Sequence, residues 1–156
     1  HAGLSRHVMA DLNPSRPEIV QMDMLSTGLA NSSFDFVMAN HVMEHVDDDM
    51  TALRELRRVL KPGGLAILQT PYSDVLERTF ADPGIRTPEQ RLELYGQEDH
   101  VRLYGRDIFD RFASAGFASR AARHADALPD VEAPKFGVNP SEPFFLFEAI
   151  ENRSFK

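Results

Sequence analysis

FDFVMANHVMEHVDDDMTALRELRRVLKPGGLAILQTPY, residues 34–72, decides the fold. Phe34, Phe36, Val37, Met38 and Ala39 make a short apolar run broken by one charge, the pattern of a parallel-sheet strand covered on both faces. The carboxyl end of that strand falls at Asn40 and His41. Asp47, Asp48 and Asp49 then stand where a helix starts, and Arg54, Arg57, Arg58 and Lys61 where it finishes, so the charges oppose the helix dipole at both ends. Met50, Leu53, Leu56 and Leu60 recur at three-to-four spacing and give the helix one apolar face. Pro62 and the Gly63-Gly64 pair stop it, and Leu65 to Leu68 resume as a strand, with Pro71-Tyr72 closing the unit. The reading is a strand-helix-strand crossover.

These residues, SFDFVMANHVMEHVDDD followed by LRELRRVLKPGGLAILQTP, resemble the signature of class I S-adenosylmethionine-dependent methyltransferases. The resemblance implies an α/β, Rossmann-like, mostly parallel sheet with an antiparallel hairpin at its carboxyl-terminal edge. It also implies S-adenosylmethionine as cofactor and methyl transfer to a small-molecule acceptor.

Upstream, HVMADL (residues 7–12) reads as a short strand broken by Asn13-Pro14, and Ile19 to Met22 as the next. By resemblance, Asp11, with Leu12 beside it, matches the acid that holds the cofactor's ribose hydroxyls. A carboxylate accepts from two vicinal hydroxyls at once. Asp23-Met24 matches the position where an aspartate accepts from the adenine amino group while a backbone N–H donates to the ring. The competing interpretation for each is a loop aspartate that starts a turn. The family also carries a first strand with a glycine-rich loop, whereas the nine glycines here include no G-x-G. The expectation is therefore a fold lacking that strand between those of Asp11 and Asp35. Neighbouring strands lie about 4.8 Å apart, so its loss leaves a gap of about 10 Å that is closed, left as open edges, or filled by a second copy in a homo-oligomer.

Bulk properties exclude several classes. One domain fits 156 residues, 42% hydrophobic and 26% charged, so residues 1–156 are read as a single cytoplasmic-type domain with 73–105 as a lid or substrate insertion. A net charge of -7 offers no electrostatic footprint for nucleic acid. The absence of cysteine removes disulfides and thiolate metal sites, and no apolar run has the length of a membrane span.

Downstream, 73–80 reads as a helix, 81–87 as a loop, 88–95 as a short helix, 107–115 as a helix closed by Gly116, 118–124 as a weak strand, 128–142 as a proline-rich loop and 144–150 as a final strand. QEDHVRLYG, residues 97–105, resembles a DHxRxYG segment of a bacterial subset of the family.

Methyl transfer from a sulfonium is an in-line displacement in which the protein aligns donor and acceptor and, for a protonated nucleophile, removes a proton. Candidates beyond the strand ends are His41, Glu44, His45, Tyr72, Asp99, His100 and Tyr104. Of these, His41, His100 and Tyr104 are taken as catalytic. Asp11, Leu12, Asp23, Met24, Asn40 and His41 are taken as cofactor contacts. HVMEH, residues 41–45, also spells the H-x-x-E-H of inverted zinc proteases, but it runs straight into the crossover. It further resembles the E-x-x-E-H of metal-dependent O-methyltransferases, with His41 in place of the first Glu, and the resemblance implies His100 or Asp99 as a distal ligand. The expectation is nonetheless that no metal binds and that His45 is a satisfied histidine at the helix start. The alternative function is a non-catalytic form of the fold acting as an interaction module or dimer.

Overall fold

The computed structural model describes residues 7–127, 129–130, 132, 135 and 143–150. Most of the expected loop 128–142 therefore lies outside the described residues. Strands β1 (Ala10–Asp11) and β2 (Val20–Gln21) pair in parallel as one small sheet. The main sheet has β3 (Phe34–Met38) parallel to β4 (Leu60–Ile67), followed by β8 (Leu146–Ala149) and β5 (Phe117–Ser119), in the order β3-β4-β8-β5. Strand β8 is antiparallel to both its neighbours, which places the expected antiparallel pair at the carboxyl-terminal edge. A short antiparallel ribbon joins β6 (Ala122–Arg123) to β7 (Pro143–Phe144). The helices are α1 (Asp49–Val59), α2 (Pro88–Tyr95), α3 (Ile108–Ser114) and α4 (His124–Ala127).

Helix α1 starts where the acidic run places it. The Asp48 carboxylate accepts from the Thr51 N–H at 2.9 Å and from the Thr51 hydroxyl at 2.7 Å, which satisfies the first turn. Ala52, Leu53, Leu56 and Val59 are buried on its inner face. The helix ends earlier than the sequence reading has it. Lys61 precedes a proline, which disfavours helical backbone there, and Leu60 is already extended at ψ 138°. Leu60 through Gly64 consequently belong to β4, and Lys61 pairs with Asp35 across the strands at 2.6 Å. A Cβ at Gly64 would lie 2.9 Å from the Lys61 carbonyl oxygen and 3.2 Å from that of Asp35, so a side chain there would force the strands apart.

The main sheet is covered on one face. Val37 and Ala39 of the β3 segment, Ala66 and Leu68 of the β4 segment, and Phe147 and Ala149 of β8 join a core with Leu53, Leu56, Ile108 and Phe112. On the opposite face Phe36, Met38 and Leu65 are exposed, at 44%, 60% and 38%. This corrects the expectation of a strand clad on both sides. Among the described residues, β3 pairs only with β4 and shares no ladder with β1 or β2, so its far edge is open.

A second correction concerns 73–80, which is not helical. The Ser73 and Phe80 N–H groups donate to the carbonyls of Tyr104 and Leu103 instead. Asp107 accepts from the Thr79 N–H and hydroxyl at 2.7 and 2.8 Å and leaves α3 without a side-chain cap. The two stretches touch closely enough that a Cβ on Gly105 would sit 2.6 Å from the Arg78 carbonyl carbon.

Two acids tie α1 to its surroundings. Asp49 is 1% exposed and accepts two hydrogen bonds from Arg111, both at 2.7 Å, and one from the Tyr104 hydroxyl at 2.8 Å. Burial pushes its carboxyl up, but Arg111, Arg102 and Tyr104 outweigh that and hold it below the ordinary carboxylate range. Replacement by alanine leaves Arg102 and Arg111 without their anion and is expected to cost about 3 kcal/mol in urea unfolding, the low end for a broken buried pair because Arg111 stays partly hydrated. Glu55 is held at about 2, chiefly by Arg58, against partial burial, with help from Thr27. Because its folded value is depressed, its stabilisation is present above the ordinary value near 4.5 and is lost as pH falls toward 2. Melting temperature should decline over that interval, and Glu55→Gln should flatten the decline.

Candidate functional site

The crossover delivers its polar residues to the carboxyl edge of the sheet. Beyond β3 the ladder continues for two more bonds, Ala39 N–H to the Ile67 carbonyl at 2.9 Å and His41 N–H to that of Gln69 at 2.7 Å. The Asn40 side-chain oxygen accepts from the Gln69 N–H at 3.3 Å, which fixes the start of the loop. His41 takes φ +53°, a conformation uncommon for a residue with a Cβ, and its side chain is 64% exposed.

The next residues turn inward. Glu44 is 1% exposed, and its Oε2 accepts from the Thr70 hydroxyl at 2.6 Å. Its Oε1 is buried without a hydrogen-bond partner and lies 3.5 Å from His41 Nδ1. His45 stands in a turn four residues before α1 rather than at the helix start, with Nδ1 3.2 Å from Asp99 Oδ2. The ring of His100, 7% exposed, meets that of His45 edge-on with centroids 4.8 Å apart. The Gln97 amide, together with the two imidazoles, holds the Asp99 carboxyl below its ordinary range.

Arg102 clamps this loop from below. Its Nη1 donates to the carbonyls of Met43 and Val46 at 2.8 and 2.5 Å, and its Nη2 to that of Asp47 at 2.7 Å. The Val101 N–H adds a bond to the Glu44 carbonyl at 2.9 Å. Arg102 is 5% exposed, and its charge is answered by Asp49, 3.9 Å away. Tyr104, read from the sequence as catalytic, lies fully inside, its hydroxyl against Asp49 and the Met43 carbonyl. Burial and the Asp49 charge push that hydroxyl's pKa far up. The structure thus brings His41, Glu44, His45, Asp99 and His100 together and sets Tyr104 beneath them.

The nucleoside candidates occupy the small sheet. Strands β1 and β2 are parallel, so Asp11 at the end of one and Asp23 just past the end of the other lie toward the same edge. Each carboxylate uses one oxygen on its own turn, Asp11 accepting from the Asn13 N–H at 2.7 Å and Asp23 from the Leu25 N–H at 2.8 Å. Leu12 is exposed, and Met24 packs on the core.

Arg102 and Asp49 escape the sequence reading. The available signal is the alternation of His100, Arg102 and Tyr104 in an extended stretch, all three buried, which marks polar groups facing inward.

Residues 4–68 match a family model described as a methyltransferase domain. That stretch, under half of the chain's length, is thus similar to a methyltransferase domain. Among curated relatives, the chain is 36% identical over 55 residues to a demethylmenaquinone methyltransferase of Staphylococcus carnosus, spanning 35% of this chain and 23% of that protein. It is 37% identical over 86 residues to an arsenite methyltransferase of Aquipseudomonas alcaligenes, spanning 55% and 23% respectively. The chain thus corresponds to about a quarter of the length of these two methyltransferases. Among solved structures, the 1,6-didemethyltoxoflavin-N1-methyltransferase of Burkholderia thailandensis aligns with TM-score 0.58 at 17% identity, covering 91% of this chain and 60% of that one. The [4+2]-cyclase SpnF aligns with TM-score 0.53 at 14% identity, covering 83% and 54%. The same methyltransferase fold thus appears in a protein named for another reaction, so the reaction must be argued from the site.

Lysine at position 102 carries the same charge but offers one ammonium in place of a planar fork for three carbonyls. Arg102→Lys is expected to raise amide hydrogen exchange of residues 41–47 about tenfold or more, from the loss of charge-assisted bonds of roughly 1.5–3 kcal/mol each. Exchange mass spectrometry reads this, and unchanged protection in that loop would show that the clamp is not what holds it.

Proposed function

We propose that this chain forms part of an S-adenosylmethionine-dependent methyltransferase acting on a small-molecule acceptor. The observation that carries the proposal is the placement of two carboxylates, Asp11 and Asp23, at the carboxyl ends of adjacent parallel strands, in a chain whose crossover ends in the exposed, positive-φ His41. Two such carboxylates fit the ribose hydroxyls and the adenine amino group of a nucleoside. Residues that would hold the methionine end are not identified among the described ones. In this reading Asp11 and Leu12 hold the ribose, Asp23 and Met24 the adenine, and Asn40 and His41 lie toward the reacting end. When bound, the cofactor supplies an electrophilic methyl group. In this reading His41 accepts a proton from a protonated acceptor, His100 belongs to the neighbouring Glu44 and His45 cluster, and the buried Tyr104 is a positioning residue. Residues 73–105 act as a lid, a reading supported by the bonds that Val101 and Arg102 make to the loop carrying Glu44.

A second reading is favoured by the exposed Phe36, Met38 and Leu65, which give the chain an open apolar sheet face. In that reading the domain is an interaction module whose face is covered by a second copy. A monomer in light scattering would overturn this second reading, which requires a stable dimer.

The chain as given is expected to bind S-adenosylhomocysteine weakly, because neither a G-x-G loop nor a strand on the edge of β3 away from β4 is among its described residues. In a form that carries a glycine-rich segment ahead of residue 1, Asp11→Ala and Asp23→Ala should each weaken binding about tenfold or more in titration calorimetry, the worth of one or two bonds to a charged acceptor. Unaltered affinity in both variants would remove the nucleoside assignment.

A further inference from the structure

We propose that Glu44, His45 and His100 form a receptor for a primary ammonium group, and that the small-molecule acceptor carries such a group. The part about the acceptor rests on the methyl-transfer reading, whereas the site itself does not. One candidate acceptor atom from each of the three residues lies within 4.8 Å of the other two. An R–NH3+ group carries three N–H donors set tetrahedrally, so acceptors that each receive one at about 2.8 Å stand about 4.6 Å apart. A tetrahedral zinc with bonds of about 2.0 Å would draw its donors to about 3.3 Å. The spread thus suits three hydrogen bonds to one nitrogen better than bonds to a shared metal ion.

Each of the three residues presents an acceptor. His100 Nδ1 lies 3.2 Å from the Tyr95 carbonyl oxygen, which can only accept, so Nδ1 carries the ring proton and Nε2 of the neutral ring keeps its lone pair. His45 Nδ1 faces the Asp99 carboxylate at 3.2 Å, which fixes that ring's proton in the same way. Glu44 is held through Oε2 by the Thr70 hydroxyl, while its Oε1 is buried with no hydrogen-bond partner among the described residues. An acceptor that deep is costly unless a donor meets it, and most costly when it is charged. His41 does not meet it, since its 3.5 Å approach to Oε1 makes no hydrogen bond. The Glu44 charge, with that of Asp99 behind His45, favours a cation over a neutral hydroxyl or amide. His45 stands in a turn with its side chain 29% exposed, and the His41 ring is mostly in solvent, so both rings are free to swing aside and admit the group. With all three N–H groups engaged, that nitrogen has no free lone pair. It is the handle that holds the molecule and not the atom that is methylated.

The test compares n-butylamine, 1-butanol and n-butyltrimethylammonium as probes of the unaltered chain. The solution is held at about pH 8, where the amine is charged and an ordinary imidazole is neutral, and a chelator keeps metal out. Titrations followed on the imidazole NMR signals give each affinity. n-Butylamine is expected to shift the His45 and His100 signals and to bind at least about tenfold tighter than either other probe, because the alcohol lacks the charge and the trimethylammonium lacks the N–H donors. Glu44→Gln and His45→Ala should each weaken n-butylamine at least about tenfold, and His124→Ala should leave it unchanged, with circular dichroism confirming the fold of each variant. Equal binding of the three probes, or unaltered affinity in folded Glu44→Gln and His45→Ala, would overturn the site. A capped lysine-containing pentapeptide that bound about tenfold tighter than n-butylamine would overturn the small-molecule assignment, by placing the ammonium on a partner protein. These titrations contain no S-adenosylhomocysteine, so the ammonium site and the nucleoside assignment can each fail without the other.

Discussion

The structure turns on one buried carboxylate. Asp49 opens α1, yet its side chain points into the protein, where Tyr104 and Arg111 bond to it and Arg102 stands at 3.9 Å. A carboxylate stripped of water is tolerable only when its lone pairs are met by donors and its charge by cations. Here those partners come from two places, the extended 100–104 stretch and helix α3, and Arg102 in turn holds the loop that joins β3 to α1. A single anion thereby joins elements that the chain order separates by more than fifty residues. An apolar residue would pack there equally well in volume, but it would leave Arg102 and Arg111 without a counter-charge. The acid is thus a constraint on which segments meet as much as a source of stability.

The second constraint is the one-sided core. Phe112, Phe117, Phe145 and Phe147 are almost wholly buried and touch one another edge-on or tilted on the face of the sheet that α1 and α3 cover. That cluster explains why β8 inserts between β4 and β5: its Phe147 lies opposite both Ala66 and Ser119, small residues that make room for a large ring. The other face has no such layer among the described residues, and Phe36 and Met38 remain in water there. A parallel strand normally has both faces covered, because its residues are apolar on both. The apolar run at 34–39 is thus written for two layers while the described fold supplies one.

Much of this was legible from residues 34–72. The acidic start, the three-to-four spacing and the proline-glycine stop identify a helix between two strands without reference to the rest of the chain. The boundary at Leu60 was not, because three-to-four spacing continues through it, and only the restriction that Pro62 places on Lys61 moves the backbone to the extended region. Residues 73–80 failed for a different reason. Ser73, Asp74 and Thr79 have weak preferences of their own, and the partners that decide their conformation, Tyr104, Leu103 and Asp107, lie some thirty residues away. The roles of Asp49 and Arg102 were hidden for the same reason, since a charge at a helix start and a charge in a loop both read as solvated until the two are seen to share a cavity. His41, Glu44 and His45 were visible as chemistry-bearing residues, whereas their relation to His100 depends wholly on how the 97–105 segment docks.

The loop between β3 and α1 has to meet two demands at once. Its carbonyls at Met43, Val46 and Asp47 are at least partly withdrawn from water and need donors, while its side chains carry the polar groups at the carboxyl edge of the sheet. Were the side chains to satisfy the backbone, as Asx and Ser turns do, they would no longer be available for anything else. Arg102 resolves the conflict from outside the loop. One guanidinium meets all three carbonyls, and the rigid fork leaves them little freedom to rearrange. The backbone of 41–47 is thus held by a residue from another segment, which allows the imidazoles and the carboxylate of HVMEH to be set by chemistry rather than by folding. The strained His41 backbone belongs to the same logic, because a positive φ at a residue with a Cβ persists only where its surroundings over-determine it.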